Sequence, residues 1–302
     1  MMGTTRIWTR FTLLGTLVLT TASLAIAQQA PPSTQAPPPS QQTPANSGNS
    51  GNTGNKDAIP GTTSVSPNAP VASSPEEEAA YKAFANTPAT DSANKIQLGE
   101  AFVQKYTSSR YLPMVYSVLT VEYVQNGQVA KVEEIGEKAI ALTSTDVQTL
   151  AVMAQSFPRS ISANTPQARK DELLAKSEKY ARRVIEIAPT LTKPDNITDQ
   201  AFTAAKNQAL SMAYGSLGLV FVRRGDFQAA VPELERAVKF DTPPDPVDFY
   251  LLGLADERTS HFEEAAAAFT KCSQIQSSLQ ANCKTGAEEA KKRASNQLSA
   301  PK

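Results

Sequence analysis

Few residues in this chain could do chemistry, and their types and spacing do not point to a reaction. Of the 302 residues, two are cysteines, Cys272 and Cys283, and one is a histidine, His261. Ten residues separate the cysteines, so the close spacing of a redox Cys-x-x-Cys motif is absent. A hydrolytic triad or a histidine-rich metal site needs more imidazole than one residue supplies. His261 lies in a predicted turn, where a solvated or capping role is the default.

The carboxylates and glycines add no catalytic pattern. Glu133-Glu134 and Glu263-Glu264 are adjacent pairs at the starts of predicted helices, where negative charge is favourable and the side chains face solvent. The only dense glycine stretch lies in a low-complexity segment, so it does not form a phosphate-binding loop. We therefore predict no catalytic residue, no metal site and no cofactor.

The charge composition argues against a nucleic-acid partner. Basic and acidic residues balance at 29 each. A protein that binds phosphate backbones needs a concentrated basic face, and the one basic cluster, at 291–293, lies beside Glu288 and Glu289. We predict no binding to nucleic acid.

The first 27 residues have the pattern of a secretory signal peptide. Two arginines precede an uncharged run over 11–26, and small residues form a cleavage site that ends at Ala27. We expect the mature chain to begin at Gln28. We also expect it to be exported, as a periplasmic or secreted protein of bacterial type. The alternative is an uncleaved anchor, because the run approaches the roughly 18 residues of a spanning helix. Membrane contact is expected only in that case.

Residues 28–75 form a low-complexity segment that contains ten of the 21 prolines and almost no large apolar side chains. A segment that buries so little surface cannot offset the entropy of ordering itself. We predict a disordered tether rich in Pro, Gln, Ser, Gly and Asn.

From residue 76 onward the apolar spacing is helical, and strand-like alternation is hard to find. We expect the fifth helix to end before Pro158, because proline removes a helical hydrogen bond, and residues 159–167 to form an inserted loop. Pro232 falls near the start of its helix and should bend that helix without ending it. The other predicted helices span 76–85, 92–106, 113–126, 129–142, 168–188, 198–224, 227–240, 245–259, 262–275 and 281–296.

Two stretches near the C-terminus repeat each other at a spacing of 35 residues. Large and small apolar residues recur in the same order, as they do when each unit buries its apolar face by stacking on the next. Small residues belong where two helices approach closely, and large ones fill the space between helices. The matched pairs are Leu217 and Leu252, Gly218 and Gly253, Phe227 and Phe262, Ala230 and Ala265, Leu234 and Phe269, and Ala237 and Cys272.

These residues, together with Tyr214, Phe221 and Gly225, resemble the tetratricopeptide repeat family. The resemblance implies an all-α superhelical solenoid of helix hairpins with a C-terminal capping helix, preceded by the disordered tether. The folded domain would span 76–298, with clear repeats at 211–244 and 246–279, a weaker one at 113–144 and an interrupted one at 146–189.

The resemblance further implies a non-catalytic scaffold of the cell envelope that binds a protein or peptide through the concave face of the solenoid. The partner's identity does not follow from it, and the residues by which chaperone-docking members clamp a C-terminal carboxylate are not recognisable here. One alternative is a structural array that associates with itself. Another is an enzyme with an unrecognised site, for example in residues 158–167.

Arg223 and Arg258 are again 35 residues apart, and they fall where peptide-binding members of the family line their groove. Two guanidinium groups could hold carboxylates of an extended peptide, while Tyr250, Leu219 and Leu254 bury its apolar side chains. The alternative is that both arginines are ordinary solvated residues at helix ends.

Cys272 occupies the small, buried position held by Ala237 in the previous repeat, and Cys283 lies in the first turn of the capping helix. Export would place the pair in an oxidising compartment, where a disulfide persists. We predict a structural disulfide that ties the capping helix down; if both thiols stay reduced, Cys272 is a small core residue.

Overall fold

The computed structural model describes residues 73–195 and 197–299, and the fold is stated for this part of the chain. The predicted signal segment, with its cleavage site at Ala27 and Gln28, lies outside the described residues. So does the predicted tether, except for residues 73–75.

The described chain is all-α, with eleven α-helices, a short 3-10 turn at Ala188–Thr190 and no strand. Their bounds are within a few residues of the predicted ones. The helices are α1 Pro75–Asn86, α2 Ser92–Lys105, α3 Leu112–Gln125, α4 Val129–Leu142, α5 Val147–Ser160, α6 Gln167–Ile187, α7 Asp199–Arg224, α8 Phe227–Phe240, α9 Pro246–Arg258, α10 Phe262–Gln274 and α11 Gln280–Leu298.

The helices form two layers. Each helix packs against the next one along the chain, and the short turns between them make antiparallel hairpins. The odd-numbered helices from α3 to α11 also pack against one another in order, whereas even-numbered helices make no comparable backbone contact within the described chain. Because the odd-numbered layer is the more closely spaced, the array curves toward it. The fold is a solenoid of tetratricopeptide-like hairpins, and we call the odd-numbered side the inner face.

Caps and turns define the ends of the helices. Side chains of Asp91, Asp146, Thr198 and Asp226 accept hydrogen bonds from backbone N–H groups in the first turn of the helix that follows each. Gly225 adopts a left-handed backbone conformation, with φ of 80°, in the turn between α7 and α8. These four helices therefore begin at a local side-chain cap, and α7 ends at a glycine turn.

Small residues lie where the helices of a hairpin approach most closely. A Cβ atom on Gly218 would come within 2.4 Å of Cγ of Leu234, and one on Gly253 would come within 2.8 Å of the Phe269 ring. Ala230 is fully buried in the same hairpin as Gly218. The alternation of small and large residues in the 35-residue repeat is thus a packing pattern between paired helices.

The prediction that α5 ends before Pro158 was wrong, and the structure shows why. Pro158 has no N–H to bond the carbonyl oxygen of Ala154, one turn earlier. The hydroxyl of Ser177 on α6 donates to that oxygen instead, at 2.7 Å in a buried position. Helix α5 therefore continues to Ser160, and the predicted loop over 159–167 shrinks to residues 161–166. Helix α8 continues through Pro232, as predicted.

Helix α11 closes the array. Cys272 on α10 and Cys283 on α11 are joined in a disulfide, and both residues are fully buried. Most of the α11 side chains that face away from α10 are exposed and polar. The helix therefore covers the apolar end of the array and offers no new apolar face to a further hairpin.

Candidate functional site

The residues predicted to bind a partner all lie on the inner helices. Leu219 and Arg223 are on α7, and Tyr250, Leu254 and Arg258 are on α9. Arg258 is exposed, whereas the other four are half-buried. Each of the four half-buried side chains therefore keeps part of its surface available to a ligand.

The apolar members of this set lie at two successive joints of the array. Leu219 packs against the core formed by α8 and α9, which includes Leu234 and Leu252. Tyr250 and Leu254 pack against the core of the next joint, where the Tyr250 ring lies 5.8 Å from that of Phe269. Burial raises the pKa of the Tyr250 hydroxyl. Each of these three side chains therefore takes part in the packing of its own joint and leaves part of its surface exposed.

Arg258 has an intramolecular partner. Its guanidinium lies 5.3 Å from the centre of the Phe227 ring, at the start of α8. In the next hairpin, the Arg293 guanidinium lies 5.9 Å from the Phe262 ring, and it also pairs with Glu257 at 3.2 Å. The ring is 31 positions before the arginine in both cases. These stacks join successive hairpins through a cation–π contact.

Arg293 was missed by the sequence analysis, although a signal for it exists. It lies 35 residues after Arg258, as Arg258 lies 35 after Arg223. The three arginines therefore occupy the same position in a 35-residue repeat. Arg293 is hard to recognise as the third because it lies within the basic cluster 291–293.

Arg223 differs from the other two members of the series. The start of α6, which corresponds to the starts of α8 and α10, holds Gln167, which is exposed and has no ring. The Nε atom of Arg223 is buried and finds no acceptor in the described chain. Burial lowers the pKa of its guanidinium, and no charged neighbour opposes that effect. Arg223 is thus a half-buried cation without a counter-charge among the described residues.

A further arginine, Arg159, was not predicted to face other elements. It lies in the last turn of α5 and pairs with Asp245, the residue that caps α9, at 2.9 Å. Helix α7 lies between the two residues. Its Gly215 packs against the nearby Asp248 carboxylate, and a Cβ atom on Gly215 would lie 2.6 Å from the carboxylate oxygens. Burial, and next the charge of Asp245, raise the pKa of the Asp248 carboxyl. The pair links the second and fourth hairpins, counted from α3.

Within residues 73–195 and 197–299, no group of three His, Cys, Asp or Glu side chains could hold a metal ion. An open cleft between α6, α7 and α8 is lined by Arg236 and Glu233, which pair with each other at 3.0 Å. Among these residues, no helix combines the length and apolarity needed to cross a membrane.

The inner helix α9 also contains a buried carboxyl group, Asp256, whose titration we expect to be measurable. Burial raises its pKa to about 6, although the imidazole of His261, 3.9 Å away, acts in the opposite direction. Between pH 3.8 and about 6, the folded state therefore keeps a proton that the unfolded state releases. The free energy of unfolding should fall as the pH rises through this window.

Replacing Asp256 by asparagine should remove this part of the pH dependence. Urea unfolding of the wild type and Asp256→Asn at several pH values between about 4 and 7 would measure it. The difference in stability between the two proteins should grow in favour of the variant as the pH rises. Stability curves that stay parallel would contradict the account.

Comparisons with known proteins find similarity in structure and none in sequence. No family model matches the chain, and no curated protein matches it in sequence. Among solved structures, a thermophilic TPR protein of Thermus thermophilus is similar, with 14% sequence identity and a TM-score of 0.47. The match covers 71% of this chain and 98% of that one. The helix packing described above carries the fold assignment.

Proposed function

We propose that the protein is a non-catalytic scaffold that binds a segment of another protein along its inner face. The observation that carries this is the set of half-exposed side chains on the inner helices α7 and α9, which includes a cation without a partner in the described chain. In a hairpin solenoid, the curved layer presents many helices to one extended ligand. The pattern fits a peptide segment with apolar side chains and an anionic group.

The apolar part of the ligand would contact both joints. Leu219 and Leu254 each leave part of their surface exposed beside a well-packed core. A bound apolar side chain would cover that remainder, and rigid surroundings would limit the entropy lost on binding. Tyr250 adds an aromatic surface with a polar end, a common combination at binding sites.

We place this activity in the cell envelope. The support for this location is the signal pattern over residues 1–27 and the joined pair Cys272–Cys283, which suits an oxidising compartment. The low-complexity segment 28–75 would hold the solenoid away from its attachment or from the cell surface.

Crosslinking the protein in the envelope of its own cells tests both parts of this proposal. We expect adducts with one or a few defined proteins, identified by mass spectrometry, and a mature chain that begins at Gln28. If only adducts between copies of the chain form, self-association replaces partner binding. If the protein stays in the cytoplasm, the location is wrong.

A further inference from the structure

Of the two arginines repeated at 35 residues on α7 and α9, we infer that Arg223 recognises a carboxylate of the bound segment, whereas Arg258 holds the array together. This inference deepens the proposed function and rests on it. The two residues occupy the same position of successive repeats, so their sequence context alone does not separate them.

Arg258 is already engaged inside the molecule. Its guanidinium covers the Phe227 ring, and the same contact recurs one repeat later between Arg293 and Phe262. A contact that recurs with identical spacing, including at the capping helix α11, is a joint between hairpins. We assign Arg258 to this joint.

Arg223 has the same position and lacks the contact. The start of α6 corresponds to the starts of α8 and α10, and it holds Gln167, which has no ring. The Nε atom of Arg223 is buried without an acceptor in the described chain. A buried donor that makes no hydrogen bond is unfavourable, and a charged donor more so. The half-exposed remainder of the guanidinium has no charged partner in the described chain either, and a ligand carboxylate would supply acceptors there.

The chemistry of the acceptor follows from the guanidinium. A planar fork of N–H groups matches a carboxylate, which accepts two parallel hydrogen bonds. The Asp and Glu side chains of a peptide and its C-terminus share this group. The half-exposed apolar surface of Leu219, one helical turn before Arg223, would take a neighbouring apolar side chain of the same peptide.

Selection from a randomised peptide library tests the assignment. One half of the library carries a blocked C-terminus, and the other half carries a free C-terminus. We expect the wild-type protein to enrich peptides that carry a carboxylate next to apolar residues, and the two halves to show whether it comes from a side chain or the terminus. Arg223→Gln should lower the affinity for an enriched acidic peptide by at least about tenfold. The matched control, Arg258→Gln, should keep the preference for acidic peptides.

The outcomes separate this inference from the proposed function. Enrichment of peptides without any carboxylate preference, or loss of that preference in Arg258→Gln, overturns the assignment and leaves peptide binding intact. No enrichment by the wild type overturns both.

Two further measurements guard against a folding defect. The Arg223→Gln variant should unfold no more readily than the wild type because it loses only a donor without an acceptor, whereas Arg258→Gln should unfold more readily. In the wild type, the Nε–H resonance of Arg223 should shift when an enriched acidic peptide is added, but not with its amide counterpart. An unchanged resonance with the acidic peptide overturns the assignment.

Discussion

Replacing Leu234 by alanine should lower the free energy of unfolding by about 2–5 kcal/mol. Leu234 is fully buried between α7, α8 and α9, and its side chain fills the space above Gly218. The mutation removes buried methyl groups and leaves a cavity that the rigid hairpin closes only in part. Urea or thermal unfolding followed by circular dichroism would measure the loss.

The same pair of positions gives a sharper test, because the sign of a second mutation should depend on the first. In the wild type, Gly218→Ala should destabilise, since its Cβ would come within 2.4 Å of Cγ of Leu234. In the Leu234→Ala background that atom is gone. Gly218→Ala should then stabilise by up to about 1 kcal/mol, through the ordinary helix preference for alanine and partial filling of the cavity.

An exposed alanine provides the matched control. Ala267 lies on α10 and faces solvent, whereas Ala230 on α8 is fully buried. Ala230→Leu should cost about 1–3 kcal/mol by overpacking, and Ala267→Leu should change stability by less than about 0.5 kcal/mol. Equal effects at the two alanines, or a Gly218→Ala effect that is the same in both backgrounds, would contradict the hairpin packing.

Breaking the disulfide should loosen the capping helix more than the rest of the array. Replacing Cys272 and Cys283 together by alanine should lower the free energy of unfolding by about 2–3 kcal/mol, because the short loop between them is no longer closed in the unfolded chain. Amide hydrogen exchange should quicken first in α11, which joins the array mainly through α10.

The control for this prediction is the single variant Cys272→Ala. Ala237 fills the equivalent position one repeat earlier and is fully buried. Alanine should therefore be tolerated there sterically, and the single variant should lose about the same stability as the double one. A free-thiol count of two in wild-type protein isolated from its own cells, or unchanged exchange in α11, would contradict a structural disulfide.

The repeat and most helix bounds could be predicted from the sequence because local chemistry determines them. Helices α4 and α8 have the predicted bounds, since Gly127 and Gly225 supply the turns before them. The repeated order of small and large residues, visible without a structure, predicts that Gly218 lies where two helices approach and that Leu234 fills the space between helices; the structure adds that the two residues meet.

Contacts between distant segments could not be predicted in this way. Helix α5 passes Pro158 because Ser177 replaces the lost hydrogen bond, and no local pattern shows that the two residues meet. The pair Arg159–Asp245 joins positions 86 residues apart and depends on the course of α7 between them. The contact between Arg258 and the Phe227 ring also joins separate helices and could not be predicted. It distinguishes Arg258 from Arg223, although the two arginines hold equivalent positions in the sequence repeat.

The most direct test of the central claim is site-specific photo-crosslinking in living cells. A photoreactive side chain would replace Val222, half-exposed on the inner helix α7, or Ala267, exposed on the outer helix α10. We predict a discrete adduct with a second protein at Val222 and none at Ala267, with the Val222 adduct weakened by Arg223→Gln. An adduct at Ala267 alone, or adducts only between copies of the chain, would contradict a partner-binding inner face.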